Sequence, residues 1–481
     1  MSTSESARPV AHYTPARNWM NDPNGLVFHN GRYHLFYQHN PLGSDHRNMS
    51  WGHASSPDLV SWDEHPVAIM FDEHEQIYSG SIVADTDNTS GFGDGVRTPL
   101  VAVYTSEHGI QTQCLAYSLD DGLTWTKHAG NPVLDRGSAH FRDPKVFRHG
   151  AGWVMVAVEA QERRVLLHRS DDLKNWTYLS SYGSAGPVGG VWECPDLFPL
   201  VLDGAPDDIR WVLLISLATG GVAGGSGTHY VTGAFDGVRF TPDRDLPEVP
   251  ADDPRLADLD WVDGGRDCYA GVTFNGLDDS DRTFIAWMSN WDYARSVPTE
   301  PWRGAMTVAR RLELVTADGR PQLRSTPVLS AGAIVESRTE TIAAGKAVAS
   351  DLPVAARIDL RARLDADGEL IVWIAAGDPN EHVTVTCSAG AVSVDRTAAT
   401  AGDFHPAFAS VETVRTPGDG ARVDVSIVLD EGSIEVFAAG GLRSITDLAF
   451  LGAGQRRMTV EAVGSRVVVD ELVVRDLAAP S

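Results

Sequence analysis

One phrase recurs along the first half of this 481-residue chain and limits what it can fold into. Ser55-Ser56-Pro57-Asp58-Leu59-Val60-Ser61-Trp62 is echoed by Ser118-Leu119-Asp120-Asp121-Gly122-Leu123-Thr124-Trp125. It returns as Ser170-Asp171-Asp172-Leu173-Lys174-Asn175-Trp176, and weakly as Phe235-Asp236-Gly237-Val238-Arg239-Phe240. The first three copies are a serine, an acidic turn and an aromatic, the fourth keeps the acidic turn and the aromatic, and successive terminal aromatics lie 63, 51 and 64 residues apart. Short apolar runs at residues 31–38, 100–104 and 153–158 are bounded by Gly, Asp, Asn and Pro, and no long stretch keeps an apolar period of 3.6. The texture is all-β. A repeat of roughly 50 to 65 residues with about four strands each is the signature of a propeller blade. Four echoes between residues 15 and 315 leave room for a fifth blade. Unrelated hairpins with Asp-Gly turns are the plain alternative, and recurrence in register argues against them.

The texture changes after residue 312. Ala317-Asp318-Gly319-Arg320-Pro321 reads as a turn, and aromatics become scarce beyond it. In residues 422–429 and 433–437 apolar and polar residues alternate, as in a β-sandwich with one face in and one face out. The expected organisation is therefore a five-bladed β-propeller over residues 1–315, a linker over 316–339 and a β-sandwich over 340–481. No reactive constellation stands out in the sandwich half, so its expected role is structural.

A net charge of −26 disfavours nucleic acid and anionic membrane as partners and suits a neutral substrate. Cys114, Cys194, Cys268 and Cys387 are far apart and form no metal-site spacing. Residues 1–10 are polar and lack the apolar core of an export signal. The expected location is the cytoplasm, or outside the cell if a signal has been removed. No apolar run approaches the ~18 residues of a membrane span. His29, His34 and His39 recur every five residues, which fits no single face and reads as scattered histidines. The glycine-rich residues 220–227 lack the Lys-Ser/Thr ending of a phosphate loop and read as a flexible propeller loop.

In a propeller the innermost strand of each blade lines the central channel, so acids at blade openings should meet there. Asp22 stands between Trp19-Met20-Asn21 and Pro23-Asn24-Gly25, a turn expected to end its strand. Phe141-Arg142-Asp143-Pro144 opens the third blade and Trp192-Glu193-Cys194-Pro195 the fourth. Asp143 lies 121 residues beyond Asp22, and Glu193 lies 50 beyond Asp143, about two blades and then one. Three convergent carboxylates repel one another, a cost a purely structural site would avoid. Two carboxylates flanking a bond are what glycoside hydrolysis needs. One attacks the anomeric carbon, and the other, kept protonated by burial and by its neighbours' charge, protonates the leaving oxygen. Spacing alone does not say which of Asp22 and Asp143 attacks. Trp19, Trp51, Tyr78, Trp192 and Trp291 are candidates to stack on sugar faces, each with core packing as the plainer reading.

These phrases, with Tyr78-Ser79-Gly80-Ser81, Trp51-Gly52-His53-Ala54, residues 263–270, 287–294 and 433–437, resemble the motif set of glycoside hydrolase family 32. That family holds invertases, inulinases and levanases, and the chain looks closest to bacterial levanase-type exo-β-fructosidases. The resemblance implies a five-bladed propeller with a sandwich, and a retaining mechanism without metal or cofactor. It makes Asp22 the nucleophile on C2 of a β-fructofuranosyl unit, Glu193 the acid and then the base, and Asp143 the transition-state stabiliser beside Arg142. Asn21, Gln38, Trp51, Ser79 and Trp291 would line the fructosyl subsite. Cys268, where family members usually carry phenylalanine, is a departure expected to loosen a wall of the pocket. The implied activity is release of fructose from sucrose, levan or inulin. A transfructosylase using the same intermediate and a propeller that binds carbohydrate without cleaving it are the alternatives. Oligomeric state is left open.

Overall fold

The recurring phrase turns out to be one connection used repeatedly, from the third to the outermost strand of a blade. It joins Ser50–Ser56 to Asp63–Ile69, Gln111–Ser118 to Thr126–Lys127, Arg164–Ser170 to Thr177–Tyr182, and Gly227–Phe235 to Phe240–Pro242. The acid closes the turn on its own backbone. Asp58 accepts from Ser61 N at 2.7 Å, Asp120 from Thr124 N at 2.9 Å, Asp172 from Asn175 N at 2.8 Å and Asp236 from Arg239 N at 2.7 Å. The indoles of Trp125 and Trp176 then fold back to donate to the Gly122 and Leu173 carbonyls, both at 2.9 Å.

A computed structural model describes residues 8–365, 367–399, 404–418 and 421–478, so residues 1–7 lie outside it. Its first part is a five-bladed propeller. The inner strands are Asn18–His29, Gln76–Ala84, Phe141–His149, Trp192–Val201 and Tyr269–Thr273. Each leads a four-stranded antiparallel blade, and the first blade gains a short parallel strand, Trp302–Arg303. The ring closes where Phe28 N donates to Asn275 O at 2.8 Å and Asn275 N to Leu26 O at 2.9 Å. Apolar layers fill the gaps between blades. Between the third and fourth, Val154, Val156, Trp192, Leu213 and Ile215 form such a layer.

Residues 317–321 do not open a linker. Asp318 and Gly319, at φ 49° and 77°, join Arg310–Ala317 to Arg320–Pro327, the two outer strands of the fifth blade. This is the same connection as in the other four blades, closed by a two-residue turn instead of the serine phrase. The sandwich then begins at Ala333–Ile342, so only residues 328–332 connect the two parts.

The sandwich packs two six-stranded sheets around Ile358, Leu360, Val372, Ile374, Val385, Ile427 and Val460. Most of its strands alternate as expected. Ser433–Ala438 does not, being buried along its whole length. Its Ile434 and Val436 enter the sandwich core, while Glu435 and Phe437 face the propeller. There Arg310 bridges Asp263 at 2.8 Å and Glu435 at 2.6 Å, and His12 bridges Asp430 and Glu435, both at 2.8 Å. Burial disfavours a charged His12, but the bonds and charges of the two carboxylates outweigh it and hold its pKa up at about 9.

Candidate active site

All five inner strands lose register with their neighbour near the start, each by one extra residue. The interruptions fall between Met20 and Pro23, Tyr78 and Gly80, Arg142 and Lys145, Glu193 and Asp196, and Tyr269 and Val272. A bulge bends a strand and re-aims its side chains, which is how residues of a regular ladder are turned into the channel. Three residues at these points, Asp143, Cys194 and Ala270, have φ of 60°, 46° and 56°. Non-glycine residues held there carry strain that surrounding packing must sustain. The strand of Asp22 is thus not ended by Pro23-Asn24-Gly25. It runs on from Asn18 to His29 through a bulge, and Asp22 sits in that bulge.

The three acids meet around Cys194. Its thiol lies 3.5 Å from Asp22 Oδ2 and 3.8 Å from Asp143 Oδ2, and its N–H donates to Asp143 Oδ2 at 3.0 Å. Asp22 is held at both oxygens, Oδ2 by Ser79 Oγ at 2.7 Å and Oδ1 by Asn21 Nδ2 at 3.0 Å. Glu193 is also held at both. Arg142 donates to Oε1 through Nε and Nη2 at 3.1 and 2.9 Å, and the Tyr269 hydroxyl donates to Oε2. Neighbouring anions were expected to face Glu193. A guanidinium faces it as well, and Arg142 also stands 3.9 Å from Asp143.

Burial is the largest effect on Asp22 and Asp143 and pushes both above the ordinary carboxylate range. The Ser79 bond draws Asp22 back down, and the charge of Glu193 adds to the rise. For Asp143 the Arg142 charge pulls down, while Glu193 and Asp22 push up. Beside the acids lies a cavity of about 20 Å³ lined by Asn24, Ser79, Asp143, Lys145, Cys194 and Val272. That is room for about one water.

The other candidates divide. Trp291 lies at the rim, near-parallel to Trp19 at 6.0 Å and edge-on to His46 at 5.2 Å. Tyr78 is half-buried beside the same His46 ring, at 6.2 Å. Gln38 and Trp51 are buried and bond the carbonyls of Ile77 and Tyr78, at 2.9 and 3.0 Å. They hold the strand that carries Ser79. Trp19 and Trp192 are fully buried packing residues. Cys268 forms no pocket wall. It is buried with Phe198, Tyr230 and Phe284 between the fourth and fifth blades. All four cysteines are free and buried. His34 and His53 contact each other in the first blade, 3.1 Å apart. Among the described residues no group of three or more His, Cys, Asp or Glu is arranged to hold a metal ion.

The glycine-rich segment is pinned. A Cβ on Gly225 would lie 2.1 Å from Asn290 Oδ1, and Ser226 Oγ accepts from Trp291 N at 3.0 Å. Tyr269 and Cys194 were not singled out from sequence as acting on the acids. Each stood inside a quoted motif, but its role depends on the bulge, a property of pairing between strands.

Two carboxylates, each fixed at both oxygens around a propeller axis, are the groups that two-carboxylate glycoside cleavage uses. The N-terminal domain of glycosyl hydrolases family 32 matches residues 12–327, and that family's C-terminal domain matches residues 322–476. The levanase of Bacillus subtilis is 39% identical over 98% of this chain and 71% of its own length. The extracellular exo-inulinase of Aspergillus niger is 40% identical over 91% of this chain and 88% of its own. The crystal structure of exo-inulinase from Aspergillus awamori superposes with a TM-score of 0.91 at 36% identity, covering 98% of each chain. The β-fructofuranosidase of Schwanniomyces occidentalis, complexed with fructosyl-erythritol, gives 0.89 at 30% identity, over 100% and 99% of the two chains. The chain belongs to glycosyl hydrolases family 32.

Proposed function

We propose that the protein is a retaining, exo-acting β-fructofuranosidase that releases terminal fructosyl units from sucrose, levan or inulin. The observation that carries this reading is the convergence of Asp22, Asp143 and Glu193 around Cys194. Asp22, steadied by Ser79 and Asn21, attacks C2 of the terminal fructosyl unit. Glu193 gives its proton to the glycosidic oxygen, and the leaving sugar departs as an alcohol. A fructosyl ester on Asp22 remains. Glu193, now a carboxylate held by Arg142 and Tyr269, takes a proton from water, whose oxygen attacks C2 and frees Asp22. Asp143 offers negative charge to the oxocarbenium-like carbon in both steps.

Exo action is supported by relatives named as exo-inulinases. A time course on the three substrates, with chain-length analysis, tests the reading. Fructose should be the sole early product from each substrate cleaved, together with glucose from sucrose. Early release of oligofructosides would overturn exo action, and no release from any of the three would overturn the reading itself.

A further inference from the structure

We propose that the sandwich domain is a positioning element of the active site, acting through residues 263–269 of the fifth blade. This rests on the reading of Glu193 as the acid and base.

Arg443–Leu448 is the edge strand of its sandwich sheet. An edge strand leaves a row of unpaired backbone groups that seek partners. Here the partner is propeller backbone. Gly264 N donates to Ser444 O at 2.8 Å and Asp267 N to Thr446 O at 3.0 Å. In return Thr446 N donates to the Asp263 carboxylate and Leu448 N to that of Asp267, both at 2.8 Å. Arg266 N completes the set on Asp447 Oδ1 at 3.0 Å. The approach is too close for a side chain, since a Cβ on Gly265 would lie 2.2 Å from Thr446 O. Arg396 of the sandwich locks the far end on Asp267 at 2.7 Å, with neither side chain exposed.

The segment held in this way feeds the site at two points. Tyr269, one residue beyond Cys268, is the donor to Glu193 Oε2. Arg266 reaches the opposite way, pairing with Asp292 at 2.7 Å and donating to Ala223 O at 2.6 Å, which fixes the loop carrying Trp291. Both are positioning residues. The sandwich thereby sets where the acid points and where the rim indole stands.

Mere cohesion between domains would change how much enzyme is folded and leave its selectivity alone. The test therefore reads a ratio that does not depend on the folded fraction. Gly265→Ala is made in the full chain and kcat/KM is measured on sucrose and on an aryl β-fructofuranoside, whose leaving group needs little protonation. Arg396→Lys, which keeps the charge but loses the fork, serves as a second interface variant should Gly265→Ala fail to fold. Tyr269→Phe and Glu193→Ala are run beside them. A displaced acid should cost sucrose at least about tenfold more than the aryl substrate in the interface variants and in Tyr269→Phe, within the 10²–10⁴ that acid assistance supplies. Equal losses on both substrates in the interface variants, with a bias in Glu193→Ala, would overturn the inference alone. No bias in Glu193→Ala would overturn the acid assignment and this inference with it.

Discussion

Replacing Arg142 by glutamine removes a guanidinium that bonds Glu193 and stands 3.9 Å from Asp143. Arg142 is 12% exposed in its side chain and Glu193 19%, so solvent does little to replace the lost charge. Truncating one partner of a hydrogen-bonded, largely buried charge pair costs about 2–5 kcal/mol. If that loss falls on the transition state, kcat/KM drops by about 30-fold to 5,000-fold. The pH profile gives a sharper check. Arg142 opposes the rise in the Asp143 pKa, so removing it lets that pKa climb further. Asp143 works as a carboxylate, so the active form is lost at a higher pH as the solution is acidified, and the acid limb moves up. A unit charge near 4 Å is worth about 4 kcal/mol at an effective dielectric near 20, or about 3 pH units. Because Arg142 shares its charge with Glu193, a movement of about 1 to 2 units is expected. The assay is kcat/KM on sucrose across the pH range for both proteins. An acid limb that stays in place, or moves down, would refute the electrostatic role given to Arg142.

Asp22→Ala should lose about 10⁴-fold or more in kcat, because the covalent route is gone, while its thermal midpoint stays near that of the parent. Near-parent turnover would take the nucleophile role from Asp22. Trp291→Ala should raise KM on sucrose by about fivefold with a smaller change in kcat, as expected for a lost stacking wall worth about 1 kcal/mol; an unchanged KM would remove it from the subsite. His12→Gln tests the buried ion cluster between the domains. The stability from a His12 raised from 6.5 to about 9 is fully present below pH 6.5 and lost as pH rises through 9. That from Glu435, lowered from 4.5 to about 2, is present above pH 4.5 and lost as pH falls toward 2. The difference in thermal midpoint between parent and variant should thus be greatest between these limits, from pH 4.5 to 6.5, and shrink toward pH 9. A difference that stays constant from pH 6 to 9 would contradict it.

What could be read from the sequence was local chemistry. The Asp58, Asp120, Asp172 and Asp236 turns announce themselves because each acid bonds backbone only three or four residues away. The blade repeat followed from them, and the three acids followed from the blade openings. What could not be read depends on partners distant in sequence. A bulge is visible only when two strands are paired, so Pro23 looked like a stop although its strand continues to His29. The fifth blade closes with Asp318-Gly319 in place of a serine phrase, and the same absence made residues 316–339 look like a linker. Glu435 alternates like a solvent-facing residue, yet the propeller covers that face. Gly265 shows its purpose only once Thr446 is placed against it, 181 residues along the chain. Arg142 and Tyr269 divide the oxygens of Glu193 from two different blades, a relation that no spacing encodes.

The central claim is that Asp22 carries the sugar between the two steps. Glu193→Ala removes the base that releases it, so a fructosyl donor with a strong leaving group should load the enzyme and leave it loaded. Rapid acid quenching, intact-mass measurement and peptide mapping of that variant test the claim directly. A covalent mechanism on Asp22 requires one added fructosyl unit, mapped to the peptide bearing Asp22 and absent when Asp22→Ala is combined with Glu193→Ala. An adduct on Asp143, or turnover of the donor with no adduct at any time, would contradict it.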